Sequence, residues 1–246
     1  MTLELIKQAL ELLIESGNTH ELRILDAEMQ GTVAGYFNDI TSMADKAEKY
    51  SGHASAVYFT INPVNPALLA RMNNKVVRVK AGDSTKEKEV IKRCWLPIDI
   101  DAERPAGVSS TDEEHKLALD KGIEVREKLR TLGFPEPIYA DSGNGSHLLY
   151  KISMPNDAES KALLEKVQKA IIFLYNNTDG VDIQGFADAN RIWKLYGTMC
   201  CKGENIKERP HRLAKIISVP DKLELLTIEK MNKFIEVSET IIKPKY

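Results

Sequence analysis

The sequence predicts an α+β fold: an RRM-like core of order β-α-β-β-α-β, fused to an N-terminal mixed α/β module. Three observations carry this expectation. Residues 94–101 (CWLPIDID) are an apolar run that turns acidic at its end, as a buried strand entering a loop would. Two long stretches, about 110–132 and 157–175, repeat apolar residues at helical spacing. Between them, apolar runs at 138–141 and 147–152 are separated by the turn-forming Ser142-Gly-Asn-Gly-Ser146. A strand at 181–183 completes the order, the split-βαβ arrangement of a four-stranded antiparallel sheet. Both helices would then cover one face of that sheet and leave the other to carry chemistry.

Along the chain, residues 2–16 place Ile6, Leu10, Leu13 and Ile14 on one helical face, and Gly17 ends the helix. Strands are expected at 22–25, 33–37 and 56–61, with a helix over 39–50. The prolines at 63 and 66 make 61–66 a loop, and Pro66 suits the first turn of a short helix through 71. Ser110-Thr-Asp-Glu113 reads as a capping box opening the helix to Leu132, with Leu117, Ile123, Leu129 and Leu132 apolar. In the second long helix Leu163, Val167, Ala170, Ile171 and Leu174 form the stripe. Strands near 194–198 and 213–219 and a last helix over 228–240 follow. The expected division is 1–93, 94–220 and 221–246: N-terminal module, core and C-terminal helix.

The chain has 246 residues and a formal net charge of −2, which hides local asymmetry. Residues 1–50 carry nine acidic and four basic side chains, residues 71–93 eight basic against three acidic, and residues 201–215 five against two. Two basic segments on an acidic chain suit polyphosphate or a nucleic-acid backbone, although ordinary solvated faces give the same counts. No apolar run approaches the ~20 residues that cross a bilayer, and the start lacks the pattern of a signal peptide. Three cysteines, two of them adjacent, do not make a disulfide framework. A reducing, cytoplasmic setting with no membrane partner is expected.

Asp99-Ile-Asp101 is the sharpest local feature. Residues i and i+2 of a strand share a face, so the two carboxylates could converge on hard divalent ions such as Mg²⁺ or Mn²⁺. A solvated strand end is the plainer alternative. The glycines of 142–146 could turn backbone N–H groups toward an anion, with His147 beside them, or simply form a hairpin. Asp182 or Asp188 could supply a third carboxylate, and Arg191, Lys194, Lys202 and Arg212 could neutralise a triphosphate. Cys200, Cys201 and His211 are a poor zinc set without a fourth ligand.

Taken together, these segments resemble the archaeo-eukaryotic primase superfamily, in its phage, plasmid and bacterial primase-polymerase branch. Asp99-Ile-Asp101 resembles the family's metal-binding acidic pair. Gly145-Ser-His147, closing Ser142-Gly143-Asn144-Gly145-Ser146, resembles its nucleotide-phosphate motif. Val181-Asp182 resembles the third-carboxylate motif, and Arg191–Lys202 (RIWKLYGTMCCK) its supporting basic stretch. Residues 57–69 resemble the module packed beside that core. A serine common two positions before the motif's histidine is Gly145 here.

The resemblance implies a two-part primase-polymerase architecture and template-directed nucleotidyl transfer. Asp99, Asp101 and Asp182 would hold two Mg²⁺ or Mn²⁺ ions. Residues 142–147, Arg191, Lys194, Lys202 and Arg212 would bind the nucleotide. The implied partners are single-stranded DNA template and NTP or dNTP. No helicase P-loop is present, so unwinding would fall to a helicase or another replication, repair or defence protein on another chain. Two rivals remain. A rolling-circle replication nuclease needs paired histidines, whereas His20, His53, His115, His147 and His211 are scattered. A non-catalytic RRM-like single-stranded nucleic-acid-binding module needs exposed aromatics, for which Trp95 is a candidate.

Overall fold

In the computed structural model, residues 2–27, 31–80 and 82–242 are described. Residues 1, 28–30, 81 and 243–246, at the ends of or within the expected 1–93 and 221–246 segments, lie outside them. Two five-stranded sheets form the framework. The first has the order β4-β2-β1-β3-β9, from Val77–Arg78, Val33–Phe37, His20–Leu25, Ala56–Thr60 and Ile192–Lys194. The second has the order β12-β6-β7-β5-β8, from Lys215–Ser218, Ile138–Asp141, Gly145–Pro155, Lys92–Ala102 and Val181–Gly185. Strands β10 (Met199–Cys200) and β11 (Arg212–Leu213) form a small ribbon. All the sheet pairings are antiparallel.

Period-two alternation in β5 decides where everything else goes. Leu96, Ile98 and Ile100 face one way, into a core with Leu148, Tyr150 and Ile152 of β7. Against that face pack α3 (Asp112–Thr131), α4 (Ala158–Tyr175) and α5 (Ile228–Ile242), through Val125 and Leu129, Val167 and Ile171, and Met231 and Phe234. Trp95, on the opposite face, joins a second core with α1 (Thr2–Leu13), α2 (Ile40–Tyr50), the first sheet and Leu149. This face is therefore only partly free. Helices α1 and α2 and the first sheet cover the half around Trp95 and leave the half carrying Asp99 and Asp101 open to a cleft.

Several expected elements shift. The capping box is Thr111 with Glu114, one residue later than Ser110 with Glu113, because the Ser110 N–H donates to Asn144 instead. In α3, Leu117 and Ile123 are exposed, and the buried face is Ala118, Gly122, Val125 and Leu129. Small residues let this helix approach β7 closely: a Cβ on Gly122 would fall 2.2 Å from Ser146 Oγ. The strand expected at 194–198 lies at Ile192–Lys194 and joins the first sheet beside β3. Gly197, at φ +86°, turns the chain tightly against Ile6 of α1.

Candidate active site

Alternation puts the acidic residues of β5 on the open face, and register supplies their neighbours. Asp99 is opposed by His147 on β7 and Gln184 on β8, while Asp101 is opposed by Gly145 and Asp182. Directly opposed residues have Cβ atoms about 4.5–5.5 Å apart, and like charges so placed repel. Each carboxylate accordingly has its own partner. Asp182 accepts from Asn176 Nδ2 at 3.2 Å and Gln184 Nε2 at 2.7 Å. Asp101 Oδ2 accepts from Arg104 Nη2 at 3.0 Å. Its Oδ1, also 3.0 Å from Arg104 Nη1, lies outside hydrogen-bond geometry and is buried without another partner.

Asp99 Oδ1 lies 3.2 Å from His147 Nε2. The other ring nitrogen, Nδ1, is 2.8 Å from Tyr196 Oη, which accepts a hydrogen bond from Trp193 Nε1 at 3.0 Å. The indole can only donate, so the tyrosine hydroxyl proton is left for Nδ1. That leaves Nε2 to donate toward Asp99. The Trp193 ring lies against the imidazole at a tilt of 43°, with centroids 4.1 Å apart. Burial alone would raise the Asp99 carboxyl. His147, with Lys202 and Arg191, outweighs it and holds the group below the usual carboxylate range.

Asp99, Asp101, His147 and Gln184 line a cleft between the two sheets, walled by Tyr58 of β3 and by Arg191, Trp193, Lys194 and Lys202; Asp182 lies outside it, in a neighbouring cleft that Asp101 also lines. Arg191 stacks over the Phe186 ring at 3.4 Å. Lys194 is buried, donates to Thr198 Oγ1 at 2.9 Å and Met199 O at 2.8 Å, and has its pKa pushed down to about 8 by burial. Ser142, Asn144 and Cys200 also line this cleft.

Other expectations change. The 142–146 loop does not turn its amides outward. The Gly143 N–H donates to Asp141 Oδ1, and those of Asn144 and Gly145 donate to Ser142 Oγ. Gly143, at φ +93°, instead allows the loop to pack against Cys200 and the Arg212 carbonyl. Ser146 faces away from the cleft and donates to Ala118 O beneath α3. His147 has both nitrogens engaged within the protein, and so orients Asp99 rather than presenting a free donor to phosphate. Arg212 is tied to Asp112 and Ser110 at the start of α3. Arg209 is likewise tied to Glu114, and Arg71, Lys92 and Arg93 of the other basic segment pair with Glu89, Glu15 and Glu87.

Asp188 is exposed and pairs with Lys161, so Asp182 is the carboxylate that stands beside Asp101. Among the described residues, no group of three or more His, Cys, Asp or Glu is gathered into a metal-ligand cluster, for the three aspartates or for Cys200, Cys201 and His211. The acidic set is nonetheless chemically suited to a hard divalent cation: carboxylate oxygens on one face, one of them buried without a hydrogen bond. Trp95 is 2% exposed and donates to Leu13 O, so it offers no stacking surface. Residue-level reading missed Tyr58, Arg104, Gln184 and the orienting pair Trp193 and Tyr196. The last two lie inside the RIWKLYGT segment that had drawn attention for its cations.

No helix of the described residues is long and apolar enough to cross a membrane. No family model and no curated protein matches the sequence. Among solved structures, the fold is similar to the crystal structure of primase RepB′, with a TM-score of 0.51 and 10% sequence identity. The match covers 98% of this chain and 63% of that one, so the chain spans less than two thirds of that protein's length. The mixed α+β architecture with antiparallel sheets is thus a primase-like fold.

Proposed function

We propose that the chain is a primase-polymerase, a nucleotidyltransferase that makes or extends primers on a single-stranded DNA template from NTP or dNTP. The observation that carries the reading is the placement of Asp99, Asp101 and Asp182 on one sheet face, the first two lining a cleft whose walls hold Arg191, Lys194 and Lys202. The strand order β6-β7-β5-β8 with α3 and α4 on the far side supports an RRM-like core. The proposed division is 1–93, 94–220 and 221–246, with β9 pairing the core's chain with β3 of the first sheet.

Asp99, Asp101 and Asp182 would hold two Mg²⁺ or Mn²⁺ ions. When bound, such ions supply Lewis acidity and charge neutralisation for in-line displacement at phosphorus. The chain's own part is binding and orientation. Arg191, Lys194 and Lys202 neutralise the triphosphate. Tyr196 and Trp193 fix the His147 ring, and His147 in turn fixes Asp99. Arg104 fixes Asp101. A 3′-oxygen forms its bond to the α-phosphorus as the bond to the β-phosphate bridge breaks. Pyrophosphate leaves with the electron pair, and the hydroxyl proton passes to water. Most of the acceleration would come from positioning and electrostatics.

The test incubates the protein with single-stranded circular DNA, labelled nucleotides and Mn²⁺. A ladder of labelled products supports the reading. Nicked circles would indicate a nuclease, and a mobility shift without products a binding module; either result overturns it.

A further inference from the structure

Away from the acidic cleft, an apolar groove of about 330 Å³ runs between α1 and β12. Leu5 and Leu12 of α1 form one wall, Ile217 and Val219 of β12 the other. Tyr196, whose hydroxyl meets His147, lines it from within. We infer that this groove is a self-association surface, filled by β12 of a second copy of the chain about a two-fold axis.

The strand edge comes first. β12 ends the second sheet, pairing with β6 on one side and with no strand on the other. Such an edge is ordinarily guarded by charge, by proline or by a covering element. Lys215 and Pro220 guard its two ends, but between them Ile217 and Val219 are 45% and 44% exposed. Leu5, across the groove, is 39% exposed. Ile217 is also the residue that the β12–β6 register skips, so that pairing does not hold it. Apolar side chains gathered at an open sheet edge mark a protein contact.

Direction and charge select a second copy as the occupant. Gly197 donates to Ala214 O and packs on the backbone of Leu5 and Ile6, which sets Leu5 at the Lys215 end of the groove. From Leu5 to Leu12 the helix rises about 10 Å, and from Lys215 to Val219 the strand rises about 13 Å. Leu12 therefore stands at the Val219 end. An antiparallel second β12 centred on Ile217 brings its Lys215 opposite Val219, at that same end. There α1 offers Glu11, which follows Glu4 and Gln8 at helical spacing along the outer rim of the groove. Glu11 and Lys215 have no ion-pair partner among the described residues. The two-fold axis sets Glu11 of each copy beside Lys215 of the other, while Ile217 and Val219 of each enter the other's groove. Every contact is made twice, and the association closes at two copies.

The test follows the mass of the full chain by light scattering and sedimentation equilibrium across the micromolar range. A reversible monomer–dimer equilibrium is expected. Ile217→Glu plus Val219→Glu, exposed changes whose fold is checked by circular dichroism and melting, should weaken it by about tenfold or more. Lys215→Glu alone and Glu11→Lys alone each set like charges against one another across the axis, and each should raise the dimer dissociation constant severalfold. The two changes together should restore about the parent value, a recovery that damage to the fold does not produce. A parent that stays monomeric overturns the proposal and leaves the groove to a different protein chain. A dimer that survives the strand variant, or a charge exchange that restores nothing, puts the interface elsewhere and overturns it too.

Discussion

His147 Nε2 stands 3.2 Å from Asp99 Oδ1 across the β5–β7 pairing, and the ring's other nitrogen meets Tyr196 Oη at 2.8 Å. A buried chain Trp193–Tyr196–His147–Asp99 therefore ends on the proposed catalytic carboxylate. Tyr196→Phe removes the hydroxyl while keeping the ring. It leaves Trp193 Nε1 without its acceptor, at a cost of about 1–3 kcal/mol in unfolding free energy. Turnover is expected to fall about tenfold with little change in nucleotide KM, read by primer-extension kinetics. Nitrogen-15 spectra of the imidazole should show loss of the single Nε2-protonated tautomer. An unaltered tautomer would remove the orienting role.

Lys194 should make nucleotide binding sensitive to alkaline pH. Burial pushes its pKa down to about 8, against an ordinary value of 10.5. The ammonium is therefore lost as pH rises through 8, and triphosphate affinity should decline over pH 7–9. Bound phosphates favour the charged form, so binding near pH 8 should take up protons. Calorimetry in buffers of different ionisation enthalpy measures that uptake. Lys194→Met should abolish both the pH dependence and the uptake.

Acid should weaken the fold through His20. Its ring is buried, with Nδ1 on Thr60 O and Nε2 without a partner, and its pKa is pushed down to about 4 from 6.5. The unfolded chain takes up this proton first. The stabilisation is therefore fully present above pH 6.5 and is lost as pH falls toward 4, about 3 kcal/mol in all. Roughly 2 kcal/mol of it should be gone by pH 5. Urea unfolding of the parent and of His20→Asn over pH 4–7 isolates this part, since the variant should lack it.

Gly122→Ala sets propensity against packing. In a helix interior alanine is worth about 1 kcal/mol over glycine. Here the new Cβ would meet Ser146 Oγ at 2.2 Å and Tyr139 at 3.1 Å, an overpacking cost of about 1–3 kcal/mol. A net loss of stability is expected, read as a lower melting temperature. A rise would mean that α3 sits less tightly on β7 than the register indicates.

The parts of this molecule legible in the sequence are those governed by period and punctuation. Alternation in LPIDID put both aspartates on one face, and Pro66 marked the start of the short helix Pro66–Ala70. Face assignment failed where small residues do the packing: Ala118 and Gly122 bury more tightly than Leu117 and Ile123, which hydrophobicity had favoured. The glycine loop misled because composition does not say whether backbone N–H groups point outward or, as with Ser142, are already satisfied by a neighbouring hydroxyl. Arg212 suits a nucleotide cation by sequence alone, but the acidic first turn of α3, about 100 residues away, claims it along with Arg209. Arg104, Tyr196 and Tyr58 were invisible, because their roles arise only when separate segments meet at the cleft.

The most direct measurement is primer synthesis and extension on single-stranded DNA with Mn²⁺ by the parent and by Asp99→Ala plus Asp101→Ala. Circular dichroism and melting should show the double variant folded. The parent should yield product ladders and the variant none. Full activity in the folded double variant would contradict this.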